Sequence, residues 1–234
     1  MDNNEIKLVP SKIEFLDTKS DWDRGLERIT KCTRVAYRSN NIGKTDEEKR
    51  ERDINLIKTL IFRTDENKDS PRHTSTLEHA VWGVVIYCSR AIANEFVRHR
   101  HTAYTQESTR YVNFDKKPAE FIIPSNIDEI NLEILKQSYQ ESYNAYKNLL
   151  QKNTLPQIAR DALPLGLATK MAMTTNIAEW RRIFELRCDK GAHPDARSIA
   201  WTILTVFNKN APWAFLDLYD KFKSDNIPLC QTVE

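Results

Sequence analysis

Glycine is scarce in these 234 residues, and the five that occur, Gly25, Gly43, Gly83, Gly166 and Gly191, form neither a GxGxxG nor a GxxxxGK[ST] pattern. A Rossmann fingerprint and a P-loop are therefore excluded. Any phosphate must be gripped mainly by side chains. Cysteine is rarer still: Cys32, Cys88, Cys188 and Cys230 lie far apart with no CxxC pair. That argues against a zinc ribbon and fits reduced thiols in a cytoplasm. No stretch approaches the ~18 uninterrupted apolar residues of a membrane span. The opening MDNNEIKLVP lacks the basic start and apolar run of a signal peptide. A charge imbalance is missing too, with a net charge of +2 and a pI near 8.3. General nucleic-acid binders more often carry a basic stripe and a domain pI above about 9.

What is present is an ordinary globular composition, 40% hydrophobic and 29% charged, in a length that suits one domain with a substantial core. EIKLVPSKIEFLDT reads as one or two short strands. Asp21 is placed to cap a helix through WDRGLERITKCTRVAYR, and a second helix is expected at roughly 46 to 63. AVWGVVIYCS is β-branched and aromatic, a buried strand. RAIANEFVRHR returns to a helical period, EFIIPSN is a short strand ending at a proline, and 126 to 152 is a long polar helix. LPQIARDALPLGLATKMAMTT is partly helical and partly extended; helices follow at about 177 to 188, 194 to 208 and 212 to 223. With no internal repeat and no low-complexity linker, the expectation is one compact α+β domain over residues 1 to 234.

The unusual segment is FVRHRHTAYTQESTRY, residues 96 to 111, with three arginines and two histidines. If the helix continues through it, Arg98 shares a side with Asn94 and Glu95 while Arg100 lies over Phe96 and Val97, because successive residues are ~100° apart. Such an end either contacts several different groups or is a solvated terminus favoured by the helix dipole. His99 and His101 form an HxH pair, but the flanking arginines repel a cation and no acid or cysteine lies at useful spacing, so no metal is expected. His73, Ser75 and Glu78 in HTSTLEH could be presented together, or Ser75 or Thr76 could serve as a cap. In TTNIAEWRRIFELR, Asn176 and Glu179 have capping-box spacing. Trp180, Ile183, Phe184 and Arg187 fall on one helix face, so Arg187 should point inward, where an internal acid or an anionic ligand must meet it. Of the two, a ligand is the favoured expectation.

Four ordered segments resemble the flavin-dependent thymidylate synthases. These are HTSTLEH; Arg98-His99-Arg100 followed after seven residues by Ser108 within ESTRY; ARDALP at 159 to 164; and TTNIAEWRRIFELR. The resemblance runs from about residue 20 to 215. It implies an α+β domain with a mostly antiparallel sheet flanked by helices, assembled as a homotetramer with active sites between subunits. It further implies methylation of dUMP at C5, with methylenetetrahydrofolate as carbon donor and NADPH as reductant through FAD, and neither nucleic acid nor membrane as partner. By the same resemblance FAD is held by Ser75, Arg98, His99, Arg100, His101, Gln106, Asn176, Ile177, Ala178 and Arg182. The dUMP contacts are Glu95, Arg98, Gln106, Glu107, Ser108, Thr109, Arg110, Arg160 and Arg187. His73 falls near flavin and folate. Arginine forks suit these anions where glycine loops are missing.

Arg187 is expected to be catalytic, stabilising negative charge at the pyrimidine O2/N3 edge so that C5 becomes more nucleophilic without an enzyme nucleophile. Ser108 lacks a histidine–acid relay and reads as a positioning hydroxyl. The flavin-free thymidylate synthases use an attacking cysteine, and none of the four cysteines sits in a comparable context. The chain departs from the family pattern at Glu95, where many members have glutamine, and at Gln106, often a glutamate. Ala178 offers only backbone, and one residue is inserted around DKGAHPDAR near His193. Two other readings remain: a nucleic-acid module using residues 98 to 110, with steeply salt-dependent affinity, and a flavoprotein of this fold without turnover.

Overall fold

A computed structural model describes residues 5–43, 45–62, 73–110 and 119–233. In chain order it contains β1 (Lys7–Val9), β2 (Lys12–Phe15), α1 (Lys19–Ala36) and α2 (Asp46–Ile61), then a 3₁₀ segment Thr74–His79, β3 (Val81–Ser89), α3 (Arg90–Phe96), β4 (Thr102–Gln106) and β5 (Glu120–Ile122). There follow α4 (Glu129–Gln151), α5 (Pro156–Ala159), β6 (Ala168–Asn176), α6 (Ile177–Arg187), α7 (Pro194–Asn210), α8 (Pro212–Phe222) and β7 (Gln231–Val233).

Five strands form one sheet in the order β4-β6-β3-β2-β7, antiparallel except for the β2–β7 pair. β1 and β5 pair parallel in a separate two-stranded sheet. This is the α+β, mostly antiparallel arrangement that the sequence suggested, with helices against the sheet. The alternation of β3 puts Trp82, Val84, Ile86 and Cys88 on the buried face, where they meet residues of α1, α6, α7 and α8. Trp82 is the hub, its ring centroid 5.3 Å from Phe207, 5.9 Å from Phe215, 6.1 Å from Trp213 and 6.4 Å from Trp22. A smaller cluster forms where Tyr139, Tyr143 and Tyr146 of α4 pack on Phe121 of β5, with Phe121 and Tyr139 stacked at 4.6 Å.

Several boundaries differ from the sequence reading, each for a local reason. α1 begins at Lys19 with Thr18 as its cap residue, and Asp21 instead accepts the Thr18 backbone N–H at 2.8 Å. The proposed last residue of the second helix, Arg63, lies outside the described residues. The largest correction concerns RAIANEFVRHR. The helix stops at Phe96, and residues 97 to 101 turn into β4, a strand that sequence periodicity did not reveal. Tyr104 of β4 ends the helix: its hydroxyl lies 2.5 Å from the Phe96 carbonyl and 3.1 Å from that of His99. Those carbonyls would have served a continuing helix.

α6 is tied to the core by adjacent arginines of different function. Arg181 is buried and grips Asp217 of α8 through two hydrogen bonds, 2.8 and 2.6 Å, and also donates to the Ala214 carbonyl. Arg182 points to solvent. Asp217→Ala leaves the Arg181 guanidinium buried without its counter-charge, so it should lower unfolding stability by roughly 3 kcal/mol. Arg182→Ala should stay within about 0.5 kcal/mol of wild type. Urea denaturation of the two variants checks the contrast.

Candidate active site

The site is organised by the junction at Asn176, which is both the last residue of β6 and the cap of α6. Its side chain accepts the Glu179 N–H at 2.8 Å, as the capping spacing suggested. The reciprocal half of the box does not form. The Glu179 carboxylate faces inward instead, 3.4 Å from His99 Nδ1, and both groups are buried.

His99 in turn meets Arg187. The Arg187 Nε–H donates to His99 Nε2 at 3.1 Å, one terminal nitrogen donates to Glu95 Oε2 at 2.7 Å, and the other donates to the Glu95 carbonyl at 2.7 Å. The inward-pointing Arg187 is thus met by an internal acid, Glu95, rather than by the favoured ligand alone. A guanidinium has five N–H donors, so one remains on each terminal nitrogen. Since Nε2 accepts, the proton of the neutral ring sits on Nδ1, directed at Glu179. Burial and the guanidiniums of Arg187 and Arg182 push the His99 pKa down to about 4.

Beside this network lies a cleft of about 550 Å³, lined by Thr74, Glu78, His101, Asn176, Ala178, Glu179, Arg181, Arg182 and Glu185. It gathers His101, Asn176, Ala178 and Arg182 from the expected flavin set. Ser75 and His73 are exposed on the adjoining 3₁₀ segment; Ser75 caps nothing there, and the Thr76 hydroxyl donates to the His73 carbonyl at 2.9 Å. Arg98 and Arg100 are exposed on the turn, and with Arg182 they meet no carboxylate within 4 Å among the described residues. Ile177 is wholly in the core and its N–H donates to the Ala80 carbonyl at 3.1 Å, so it offers no side chain to the cleft.

The remaining expected residues form a second group. Gln106 Nε2 donates to the Thr169 hydroxyl at 3.4 Å, and the Glu107 carboxylate accepts the Lys170 N–H at 3.3 Å. Ser108 Oγ accepts the Arg110 N–H at 3.2 Å, and Arg160 donates to the buried Thr109 hydroxyl at 3.2 Å. Tyr111 lies outside the described residues. Sequence reasoning overlooked one member of the network. Glu179 was assigned to the cap alone.

The Thymidylate synthase complementing protein family model matches residues 19–213. The chain belongs to this family. A flavin-dependent thymidylate synthase of Pyrococcus furiosus is 34% identical over 196 residues, covering 80% of this chain and 75% of that protein. The enzyme of that name from Sulfolobus acidocaldarius is 34% identical over 151 residues, 63% of this chain and 58% of the relative. The one from Geobacter sulfurreducens is 29% identical over 192 residues, 81% and 80% of the two chains. The matched span of this family member contains every expected site residue, from His73 to Arg187.

No three of the described His, Cys, Asp and Glu residues gather as a metal site, and no described helix is long and apolar enough to cross a membrane.

The depressed pKa of His99 has a measurable consequence. Between about 4 and the ordinary 6.5, the unfolded chain binds the proton that folded His99 refuses, so stability rises with pH. That contribution is complete above the unfolded value and lost as pH falls toward about 4. His99→Gln should flatten this part of the stability–pH profile relative to wild type. Thermal unfolding across the range measures it, and identical slopes in the two proteins would refute a neutral, buried His99.

Proposed function

We propose that this chain makes dTMP by reductive methylation of dUMP at C5, using methylenetetrahydrofolate as carbon donor and NADPH as reductant through FAD. Flavin-dependent dTMP synthesis is the function of the family to which it belongs. The observation that carries the reading to particular residues is the Arg187 guanidinium, held rigidly by Glu95 and His99 with two N–H groups to spare.

The cleft fits a flavin dinucleotide in chemical character. It has room for part of a large ligand; Arg182 lines it together with Glu78, Glu179 and Glu185, and Arg98 and Arg100 are exposed on the turn that leads to His101. Such arginines suit a pyrophosphate, which no glycine-rich loop is present to cradle. Asn176, Ala178 and His101 border the same space, with Ser75 and His73 at its rim. FAD held by these residues would supply the reducing equivalents for the transferred carbon.

The chain's own residues orient dUMP and stabilise its developing charge. Arg187 directs its spare N–H groups at the pyrimidine O2/N3 edge, where negative charge gathers as C5 attacks. Neutral His99 leaves the positive charge of Arg187 undiluted and fixes the plane of the guanidinium. Glu95 acts through Arg187. Gln106, Glu107, Ser108, Thr109, Arg110 and Arg160 form the remainder of the dUMP site, with Arg98 between nucleotide and flavin.

A cysteine nucleophile is disfavoured. Burial pushes the thiols of Cys88 and Cys188 up to about 12, and that of Cys230 is also raised chiefly by burial. A thiolate is the reactive form. All four cysteines are free, in keeping with a cytoplasmic setting. The homotetramer belongs to the proposal. It draws support from β4, an edge strand whose outer side pairs with no strand among the described residues.

Absorption spectroscopy of the purified protein tests the assignment. A bound flavin should bleach on anaerobic NADPH addition, faster with dUMP present. Arg187→Ala should keep its flavin and lose dTMP formation by about 10²-fold or more. A protein that takes up no FAD would overturn the reading, and full turnover in the variant would remove the role given to Arg187.

A further inference from the structure

Asp53, Asp217 and Asp225 each face an arginine at 3.1 Å or less, and Glu95 faces Arg187 at 2.7 Å. Glu179 is arranged differently. It is buried, and among the described residues the one basic side chain within 4 Å of its carboxylate is His99, 3.4 Å away. That ring is neutral at physiological pH, its pKa being pushed down to about 4. Keeping a carboxylate buried against a neutral partner is costly, so stability alone does not account for it.

The geometry gives Glu179 another use. The Arg187 Nε–H donates to His99 Nε2 at 3.1 Å. His99 can accept there only while its proton sits on Nδ1; with the other tautomer, two N–H groups would confront each other. A carboxylate beside Nδ1 attracts an N–H and repels a lone pair. At 3.4 Å the contact is long for a hydrogen bond, so the selection is chiefly electrostatic, and burial strengthens it. Glu179 is itself held in place: its amide donates to Asn176, and the next residue, Trp180, donates its indole N–H to the Trp82 carbonyl. We propose that Glu179 is a positioning residue for the nucleotide reaction: by holding the His99 proton on Nδ1 it keeps Nε2 open to Arg187 and fixes the plane in which Arg187 meets dUMP. This rests on the dUMP reading of Arg187. Glu95 orients the guanidinium directly, whereas Glu179 acts through His99 and has no need to touch the nucleotide.

The FAD-saturated protein should be titrated with dUMP for wild type, Glu179→Ala, Glu179→Gln, Arg187→Ala and the Glu179→Ala/Arg187→Ala double variant. Saturation with FAD matters because Glu179 also borders the cleft. Losing the tautomer selection should raise the Kd for dUMP about fivefold in Glu179→Ala. Glu179→Gln, whose amide carbonyl still faces Nδ1–H, should recover most of the affinity. In the Arg187→Ala background the Glu179→Ala change should add nothing, since both act through one guanidinium. An unaltered Kd in Glu179→Ala, with wild type binding dUMP, would overturn the positioning role and leave the dUMP reading intact. Equal losses with and without Arg187 would overturn it too, by showing that Glu179 only supports the cleft. So would a Glu179→Gln protein as weak as Glu179→Ala. Should Glu179→Ala fail to fold, nitrogen NMR of wild type and Glu179→Gln labelled with ¹⁵N-histidine decides the matter: a neutral His99 with a bare Nε2 is expected in both, and a proton on Nε2 refutes the proposal. A wild-type protein that binds FAD but not dUMP would refute the dUMP reading itself, and the positioning role with it.

Discussion

The loop-free passage from β6 into α6 at Asn176 is the constraint on which the rest of the site depends. β6 pairs with β3 from Ala168 to Asn176 and with β4 from Met171 to Thr175, so its last residue has a fixed position and direction. Asn176 caps the helix, the Ile177 amide is taken by Ala80, and the Trp180 indole N–H donates to the Trp82 carbonyl at 3.1 Å. With start and rotation both set, helical periodicity does the rest. Arg181 turns inward to Asp217, Arg182 faces the cleft, and Arg187 arrives two turns on beside His99 and Glu95.

Arg187 illustrates how a mostly buried cation is kept available. Leaving its charge unmatched would be costly, while full pairing by two acids would leave little field for a ligand. One carboxylate, one backbone carbonyl and one neutral imidazole hold three of its donors. His99 fills the third place only because it stays unprotonated, and Glu179 behind it fixes which nitrogen carries the proton. The short turn at 97–101 that brings His99 into this position also swings Arg98 and Arg100 outward.

A wider pattern separates arginines that pair with an acid from those that do not. Arg34–Asp53, Arg181–Asp217 and Arg197–Asp225 join different elements at 2.5, 2.6 and 3.1 Å. Arg90, Arg98, Arg100, Arg160 and Arg182 have no such partner among the described residues and cluster in the two groups around the site. Exposure alone does not make a site: among the described residues Arg28, Arg38 and Arg52 on the α1–α2 side are also without a carboxylate within 4 Å, but no cluster of expected ligand-binding residues accompanies them.

By itself the sequence determined the elements whose periodicity is long and local. The helices at 177, 194 and 212 and the buried strand at 80–89 were legible because their apolar spacing repeats over several turns or alternations. The four ordered segments also carried the family membership, since residue type and order suffice for that. Only the tertiary structure decided the rest. The end of α3 depends on a hydroxyl from Tyr104, eight residues further on and in another element. β4 and β7 are too short to show a period and exist through their neighbours in the sheet. Glu179 has the spacing of a cap, yet its carboxylate is drawn to His99, 80 residues earlier in the chain. Arg90 and Arg160 have no relation along the sequence and meet only because the chain folds back on the 107–109 segment. Charge pairing is decided by distance in space, and a linear pattern records distance only along the chain.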